Sequence, residues 1–132
     1  MNDINLWAVL AAAAATFLIG GLWYSPLLFA RSWQKEAGLS DERLRSGNPA
    51  VIFGFAFALS LLAAGVFAMF LGPKPGLAFA TAAGFGAGLA WVAASLGIIY
   101  LFERRSLRLF LINAGYLTLA FTAIGAILGA WH

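Results

Sequence analysis

Four long apolar stretches make up most of the chain, and shorter polar gaps separate them. They cover residues 6–28, 50–71, 77–102 and 109–131. A helix needs roughly 20 predominantly apolar residues to cross a bilayer, and each stretch has that length. The pattern predicts an all-α membrane protein whose four transmembrane helices form one up-down bundle, a single domain over residues 1–132.

The second and third gaps are short. Gly72-Pro73-Lys74-Pro75-Gly76 is dense in turn residues, and the gap from Glu103 to Arg108 is equally brief. Short connections join antiparallel neighbours. We therefore expect the second span to pack beside the third, and the third beside the fourth.

The first gap, residues 29–48, is long enough to fold, and we call it the collar. Ser25-Pro26 before it resembles an N-cap followed by a first-turn proline, so the first helix should kink or restart there. Beyond this point, apolar and charged residues fall on opposite sides of a helix, which is typical of an amphipathic interfacial segment. The apolar side holds Phe29, Ala30, Trp33 and Ala37.

The rest of the collar has its own start and stop signals. Gly38 can end the amphipathic helix, and Ser40 can cap a second short helix that Gly47 stops. Asn48-Pro49 repeats the cap-and-proline signal and should begin the second span. The collar is therefore expected to be a folded segment rather than an open loop.

Charge indicates the orientation. Seven of the eight basic residues lie in the first and third gaps, and Lys74 alone lies in the second. Lys and Arg are retained on the cytoplasmic side, so we expect the collar in the cytoplasm and both termini outside. The first five residues carry no Lys or Arg, so a cleaved signal peptide is not expected.

Composition narrows the function classes. The chain is 63% hydrophobic and 10% charged, against about a quarter charged in soluble domains. Its net charge of +3 comes from residues that flank the spans, which favours membrane lipid over nucleic acid as a partner. Cysteine is absent, so disulfides and thiolate metal sites are excluded.

Reactive groups are scarce. The four stretches contain no Asp, Glu, Lys, Arg or His, so the usual groups of a proton relay or ion site are missing. The sole histidine, His132, is the last residue and is expected to be inert. We expect no catalytic, cofactor or metal residues, and predict that the protein is not an enzyme.

Small residues should bring the helices together, because membrane helices associate where backbones can approach closely. One such face is expected on each of the last three spans, and a homo-oligomer is left open because Gly86, Ala90, Ala93 and Gly97 give the third span a second small face. The predicted packing glycines are Gly54, Gly65, Gly84, Gly88, Gly125 and Gly129.

Aromatic and amide side chains are the candidate site. Trp23, Tyr24, Trp33 and Tyr100 fit an aromatic belt at the cytoplasmic boundary. Trp91 lies near the middle of the third span, where its N–H needs a partner such as Thr118, Thr122 or Ser60.

Asn113 and Tyr116 share one face of the fourth span. They form either a plain interhelical hydrogen bond or a small polar pocket that opens to the cytoplasm. In the second case Glu103 and Arg104 are expected at its rim.

These strings resemble a known family. Gly21-Leu22-Trp23-Tyr24-Ser25-Pro26, Gly47-Asn48, Leu101-Phe102-Glu103 and Leu111-Ile112-Asn113-Ala114-Gly115-Tyr116 make the chain similar to the small bacterial membrane family of domain of unknown function 1761. The resemblance implies an inner-membrane protein of four helices whose role is not established. It directs attention to Trp23, Tyr24, Ser25, Pro26, Trp33, Asn113 and Tyr116.

Three functions fit these observations. The leading hypothesis is a non-enzymatic accessory or interaction subunit, with a homo-oligomer and a larger membrane complex both left open. The alternative is an oligomeric small-molecule transporter or channel subunit whose path Trp91, Asn113 and Tyr116 line. A third is a lipid-binding protein whose basic collar holds anionic headgroups.

Overall fold

In the computed structural model, which describes residues 4–131, every regular element is a helix. Four of the helices are long and apolar enough to cross a membrane, so the predicted all-α membrane fold is confirmed. The expectations for the tail at residues 1–3 and for His132 lie outside the described residues. The helices are α1 (Leu6–Trp23), α2 (Ala30–Ala37), α3 (Asp41–Ser46), α4 (Pro49–Leu71), α5 (Leu77–Glu103) and α6 (Leu107–Ala130).

Side-chain caps set several helix starts. The Ser40 hydroxyl accepts a hydrogen bond from the Arg43 N–H at 3.0 Å, and the Asn48 side chain accepts one from the Ala50 N–H at 3.0 Å. Gly38 ends α2 with a φ of 73°, a left-handed conformation that favours glycine. The collar therefore folds as two short helices, α2 and α3.

The first span ends earlier than the sequence suggests. α1 stops at Trp23, and residues 24–29 turn back before α2 begins. Ser25 does not cap α2, because its hydroxyl donates a 2.7 Å hydrogen bond to the Leu22 carbonyl of the preceding helix. Pro26 is exposed in the turn. The restart is real, but the capping role predicted for Ser25 is wrong.

α6 is the centre of the bundle. It packs against both α1 and α5, while α4 packs mainly on α1. The prediction that the second and third spans pack side by side is therefore wrong. α4 and α5 meet through the rings of Phe70 and Trp91, whose centroids are 6.5 Å apart. α4 turns its small residues Ala64 and Ala68 toward the core, whereas large side chains such as Phe53 remain exposed.

The tightest packing lies at the far end of the bundle, by which we mean the end opposite the collar. There the apolar core gathers small residues from α1 and α4 around a few large ones from α4 and α6. Alanine lets these helices approach without loss of contact. The core residues are Ala8, Val9, Ala12, Ala64, Phe67, Ala68, Ala87, Ile124 and Leu128.

α5 and α6 touch backbone to backbone. A Cβ added at Gly84 would overlap the carbonyl oxygen of Phe121, and one added at Gly125 would overlap the carbonyl of Ala80. Only glycine fits such a contact. Gly88 and Gly129 lie on the same helix contact.

The two glycines predicted to pack on α4 do not do so closely. Gly54 has no neighbour within 4 Å of an added Cβ, and Gly65 has only Val9 Cγ1 at 4.0 Å. α4 uses Ala64, Phe67 and Ala68 instead. The packing role expected of Gly54 is wrong because that part of α4 faces away from its neighbours.

A π-helical segment, Ala87–Ala93, interrupts α5. Its hydrogen bonds run from i to i+5, so one turn takes an extra residue and the buried face shifts. Gly84 is buried before the segment and Gly88 is buried within it. Ala93 is the next buried residue along the helix.

Trp91 is consequently turned outward and is 64% exposed. The prediction of an inward indole, which rested on the depth of Trp91 in the span, is wrong, because the π-helical segment turns Trp91 away from the buried face. The hydroxyls considered as its partners bond to their own helices: Ser60 to Ala56, and Thr122 to Thr118.

Candidate functional site

The last turn of α1 is fastened to α6 by Trp23. Its indole N–H donates a 2.8 Å hydrogen bond to the backbone carbonyl of Ile112, and its ring lies against that of Phe29, with centroids 4.9 Å apart. Gly115 makes room for the indole, since a Cβ there would lie 2.9 Å from Trp23 Cζ2. Trp23 thus fixes the point from which the collar leaves the bundle.

Asn113 joins three elements at the collar end. Its Oδ1 accepts a 2.6 Å hydrogen bond from the Tyr24 hydroxyl, and its Nδ2 donates a 2.7 Å bond to the Tyr100 hydroxyl oxygen. Tyr24 follows α1, Tyr100 lies on α5 and Asn113 on α6. A carboxamide in lipid is costly unless its polar atoms are bonded, and this arrangement bonds both.

Tyr116 extends the same polar cluster toward the bundle interior. Its hydroxyl donates a 3.1 Å hydrogen bond to the carbonyl of Thr16, and its ring meets Tyr24 edge to face at a centroid distance of 5.4 Å. Gly20 lies under the ring, and a Cβ added there would be 3.2 Å from Tyr116 Cε1. The ring therefore occupies space that glycine leaves free on α1.

Trp33 connects the cluster to the collar. Its ring packs edge to face on Tyr24, with centroids 5.6 Å apart. In the collar itself, Gln34 Nε2 donates a 2.8 Å hydrogen bond to Asp41 Oδ1, which ties α2 to α3. The collar is thus linked internally and held to the bundle.

A cleft of about 1010 Å³ lies beneath the collar, and we call it the collar cleft. It occupies the gap between α4 and α5, and α6 lies behind it. Tyr24, Tyr100, Asn113 and Tyr116 form its polar floor. Its walls are apolar, from Ile52 and Phe53 on α4, Leu96 on α5 and Leu117 on α6.

The collar covers the cleft on its outer side. Trp33, Leu39 and Leu44 contribute apolar surface there, and Arg43 is the only charged residue among those described that line the cleft. The rim predicted from Glu103 and Arg104 is wrong. Glu103 instead pairs with Arg105 at 3.1 Å, and Arg104 ends α5.

The structure brings together most of the residues singled out in the sequence. Tyr24, Trp33, Asn113 and Tyr116 form one hydrogen-bonded and ring-packed cluster, and Trp23 lies next to it on the chain, bonded to the carbonyl of Ile112. Three others lie apart from it: Trp91 on the outer face of α5, and Ser25 and Pro26 in the turn after α1.

Sequence reasoning missed Tyr100 and Arg43 as cleft residues. Tyr100 was assigned only to the aromatic belt. The short turn between α5 and α6 could have identified it, because residues at similar distances before and after such a turn face each other. No comparable signal marked Arg43, whose position depends on how α3 folds over the cleft.

The floor of the cleft can form hydrogen bonds. It offers hydroxyl and amide hydrogen-bond donors, and Tyr100 still has its own O–H to donate after accepting from Asn113. Within residues 4–131 no group of three or more His, Cys, Asp or Glu side chains could hold a metal ion.

One comparison identifies related sequences. The model of a family described as Protein of unknown function (DUF1761) matches residues 7–129. Neither a curated protein nor a solved structure matches the chain. The matched range contains every residue of the collar cleft.

Proposed function

The chain belongs to the family described as Protein of unknown function (DUF1761), and from that starting point we propose that it is a non-enzymatic accessory protein of the bacterial cytoplasmic membrane. In this proposal the collar faces the cytoplasm and binds a larger membrane complex. The orientation rests on the excess of Lys and Arg in the collar and in the turn between α5 and α6.

The attachment of the collar to α6 is the main support for this proposal. Trp23 and Tyr24 bond to α6 through Ile112 and Asn113, so the two collar helices are presented in a fixed position. Their outer surface bears exposed charges of both signs: Arg31, Lys35, Asp41, Glu42 and Arg45. A fixed, mixed-charge surface suits recognition of a polypeptide, because complementary charges give specificity and orientation.

The groups present in the spans support a non-enzymatic role. The side-chain polar atoms of the cleft floor belong to tyrosine hydroxyls and one carboxamide; Tyr24 and Tyr100 bond to Asn113, and Tyr116 bonds to the Thr16 carbonyl. A nucleophile and its general base must lie within hydrogen-bond reach, and the cleft floor contains no such pair. Binding is therefore the function favoured by its chemistry.

A transporter is less well supported. The collar cleft reaches only the collar half of the bundle, and at the far end α5 and α6 are in backbone contact at Gly84 and Gly125. A path across the membrane would need several copies or a rearrangement of these helices. The accessory role requires neither.

Affinity capture from native membranes in mild detergent, followed by mass measurement of the intact assembly, tests the proposal. We expect stoichiometric recovery of one larger complex. The double charge reversal Arg31→Glu and Lys35→Glu should lower that recovery roughly tenfold, whereas Lys74→Glu, outside the collar, should leave it unchanged. Recovery of a symmetric homo-oligomer alone would support the transporter instead, and recovery of a monomer would refute the accessory role.

A further inference from the structure

We propose that the collar cleft binds one anionic phospholipid of the surrounding leaflet, with its phosphate at Arg43 and an acyl chain between α4 and α5. Arg43 is itself exposed on α3, but the rest of this site lies inside the cleft, apart from the exposed collar charges proposed to bind a protein partner. The inference would therefore stand even if no such partner existed.

Arg43 supplies the charge. It lines the cleft on the collar side, and among the described residues it has no ion-pair partner, since the one ion pair found there joins Arg105 to Glu103. Guanidinium groups bind phosphate through charge-assisted and often bidentate hydrogen bonds. The cleft thus places one unpaired cation at its outer edge, where a headgroup phosphate would lie.

The polar floor of the cleft matches the ester groups of a phospholipid, which lie below the phosphate. After the bonds within the cluster, Tyr100 has an O–H to donate and Asn113 Nδ2 has a second N–H. Both are donors, so they suit an acceptor such as an ester carbonyl. Asn113 lies six residues into α6, about 9 Å along the helix axis, which sets these donors deeper than Arg43, as the ester groups lie below the phosphate.

The apolar walls of the cleft match the acyl chains of the lipid. Ile52 and Phe53 on α4 face Leu96 on α5 across the cleft, and the two helices do not pack closely against each other. An acyl chain can therefore leave the cleft through this gap and continue into the bilayer. The lipid would fill space that protein side chains leave open at the collar end.

Size and access favour a lipid over a soluble ligand. The cleft measures about 1010 Å³, at the upper end of the roughly 300–1,000 Å³ usual for small-molecule sites. That volume accommodates a headgroup, the glycerol and the first part of the chains. A water-soluble metabolite would leave the apolar walls unfilled, whereas a phospholipid covers the charge, the donors and the walls together.

Native mass spectrometry of the full chain tests the proposal directly. The purified protein is delipidated in detergent and mixed with equal amounts of phosphatidylglycerol and phosphatidylethanolamine. We expect one retained lipid per chain, with phosphatidylglycerol preferred roughly tenfold, because both lipids carry the phosphate but the ammonium group of phosphatidylethanolamine opposes its attraction to the Arg43 guanidinium. Equal retention of the two lipids would overturn the inference.

Two variants and one control variant locate the lipid. Arg43→Gln should abolish the preference for phosphatidylglycerol, while Arg31→Gln, an exposed collar residue outside the cleft, should keep it. Leu96→Trp should fill the cleft and reduce retention of both lipids. If the two glutamine variants behave alike, or if Leu96→Trp retains lipid as the unmodified protein does, the lipid lies elsewhere. A peptide recovered in place of lipid would also refute the proposal.

Discussion

The hydroxyl of Tyr24 donates a 2.6 Å hydrogen bond to the amide oxygen of Asn113, 89 residues further along the chain. This bond holds the start of the collar to the central helix. Because Asn113 also donates to Tyr100, removing the amide leaves two hydroxyls without their partner, whereas removing the Tyr24 hydroxyl breaks one bond.

We therefore expect Tyr24→Phe to lower the free energy of unfolding by about 1 kcal/mol and Asn113→Leu by about 1–3 kcal/mol. The double variant should cost less than the sum of the two, because both changes remove the same bond. Unfolding in detergent mixtures measures all three. Ser25→Ala, which removes only the exposed bond to Leu22, should change stability by no more than about 0.5 kcal/mol. If the two changes in unfolding free energy were strictly additive, the hydrogen bond between Tyr24 and Asn113 would be contradicted.

A pair of glycine variants separates packing from helix propensity. Gly84→Ala places a Cβ against the Phe121 carbonyl, so α5 and α6 must move apart, at a cost of about 1–3 kcal/mol. Gly54→Ala adds the same methyl group where nothing lies within 4 Å. It should be neutral or stabilising by up to about 1 kcal/mol, since alanine favours the helix. Thermal unfolding in detergent measures both. Equal effects would show that Gly84 does not mark a close helix contact.

The protease sensitivity of the collar can test whether the position of Trp23 against Gly115 holds the collar in place. A Cβ at Gly115 would lie 2.9 Å from the indole, so Gly115→Ala should displace Trp23 and weaken its bond to Ile112. The collar should then open more often, and trypsin should cleave after Arg43 or Arg45 several-fold faster. Gly21→Ala is the matched control, because nothing lies within 4 Å of an added Cβ there. An unchanged rate for Gly115→Ala would show that Trp23 does not hold the collar.

The orientation can be measured with single cysteines, since the chain contains none of its own. Ser46→Cys, in the collar, should be protected from a membrane-impermeant thiol reagent applied to intact cells. Lys74→Cys, in the turn between α4 and α5, should react. Both should react after the membrane is permeabilised. The reverse pattern would place the collar outside and refute the proposed topology.

Much of this fold could be predicted from local signals. Apolar length identified the four spans, and the caps at Ser40 and Asn48, with the stop at Gly38, marked out the collar helices. These features depend on neighbouring residues only. The grouping of Tyr24 with Asn113 at one membrane boundary also followed, because span length places both residues at the same depth.

What could not be predicted depends on contacts between distant elements. Gly54 and Gly84 belong to similar small-residue patterns, yet only Gly84 meets a neighbouring backbone. Nothing local distinguishes them, because the choice of partner helix is decided by the whole bundle. The position of Arg43 over the cleft likewise depends on the packing of the collar rather than on the residues next to it.

The π-helical segment of α5 acts as a one-residue insertion that the helix absorbs. It lets Gly84 face α6 at the far end while Tyr100, on the same helix, still reaches Asn113 at the collar end. Deleting one residue between Ala87 and Ala93 would therefore keep the two flanks in phase, whereas forcing all the residues of the segment into a regular α-helix would rotate everything after it by about 100°. One half of α5 would then keep its contacts and the other would lose them. The rotational phase between the two halves of α5, and not only the composition of the helix, couples the packed end of the protein to the cleft.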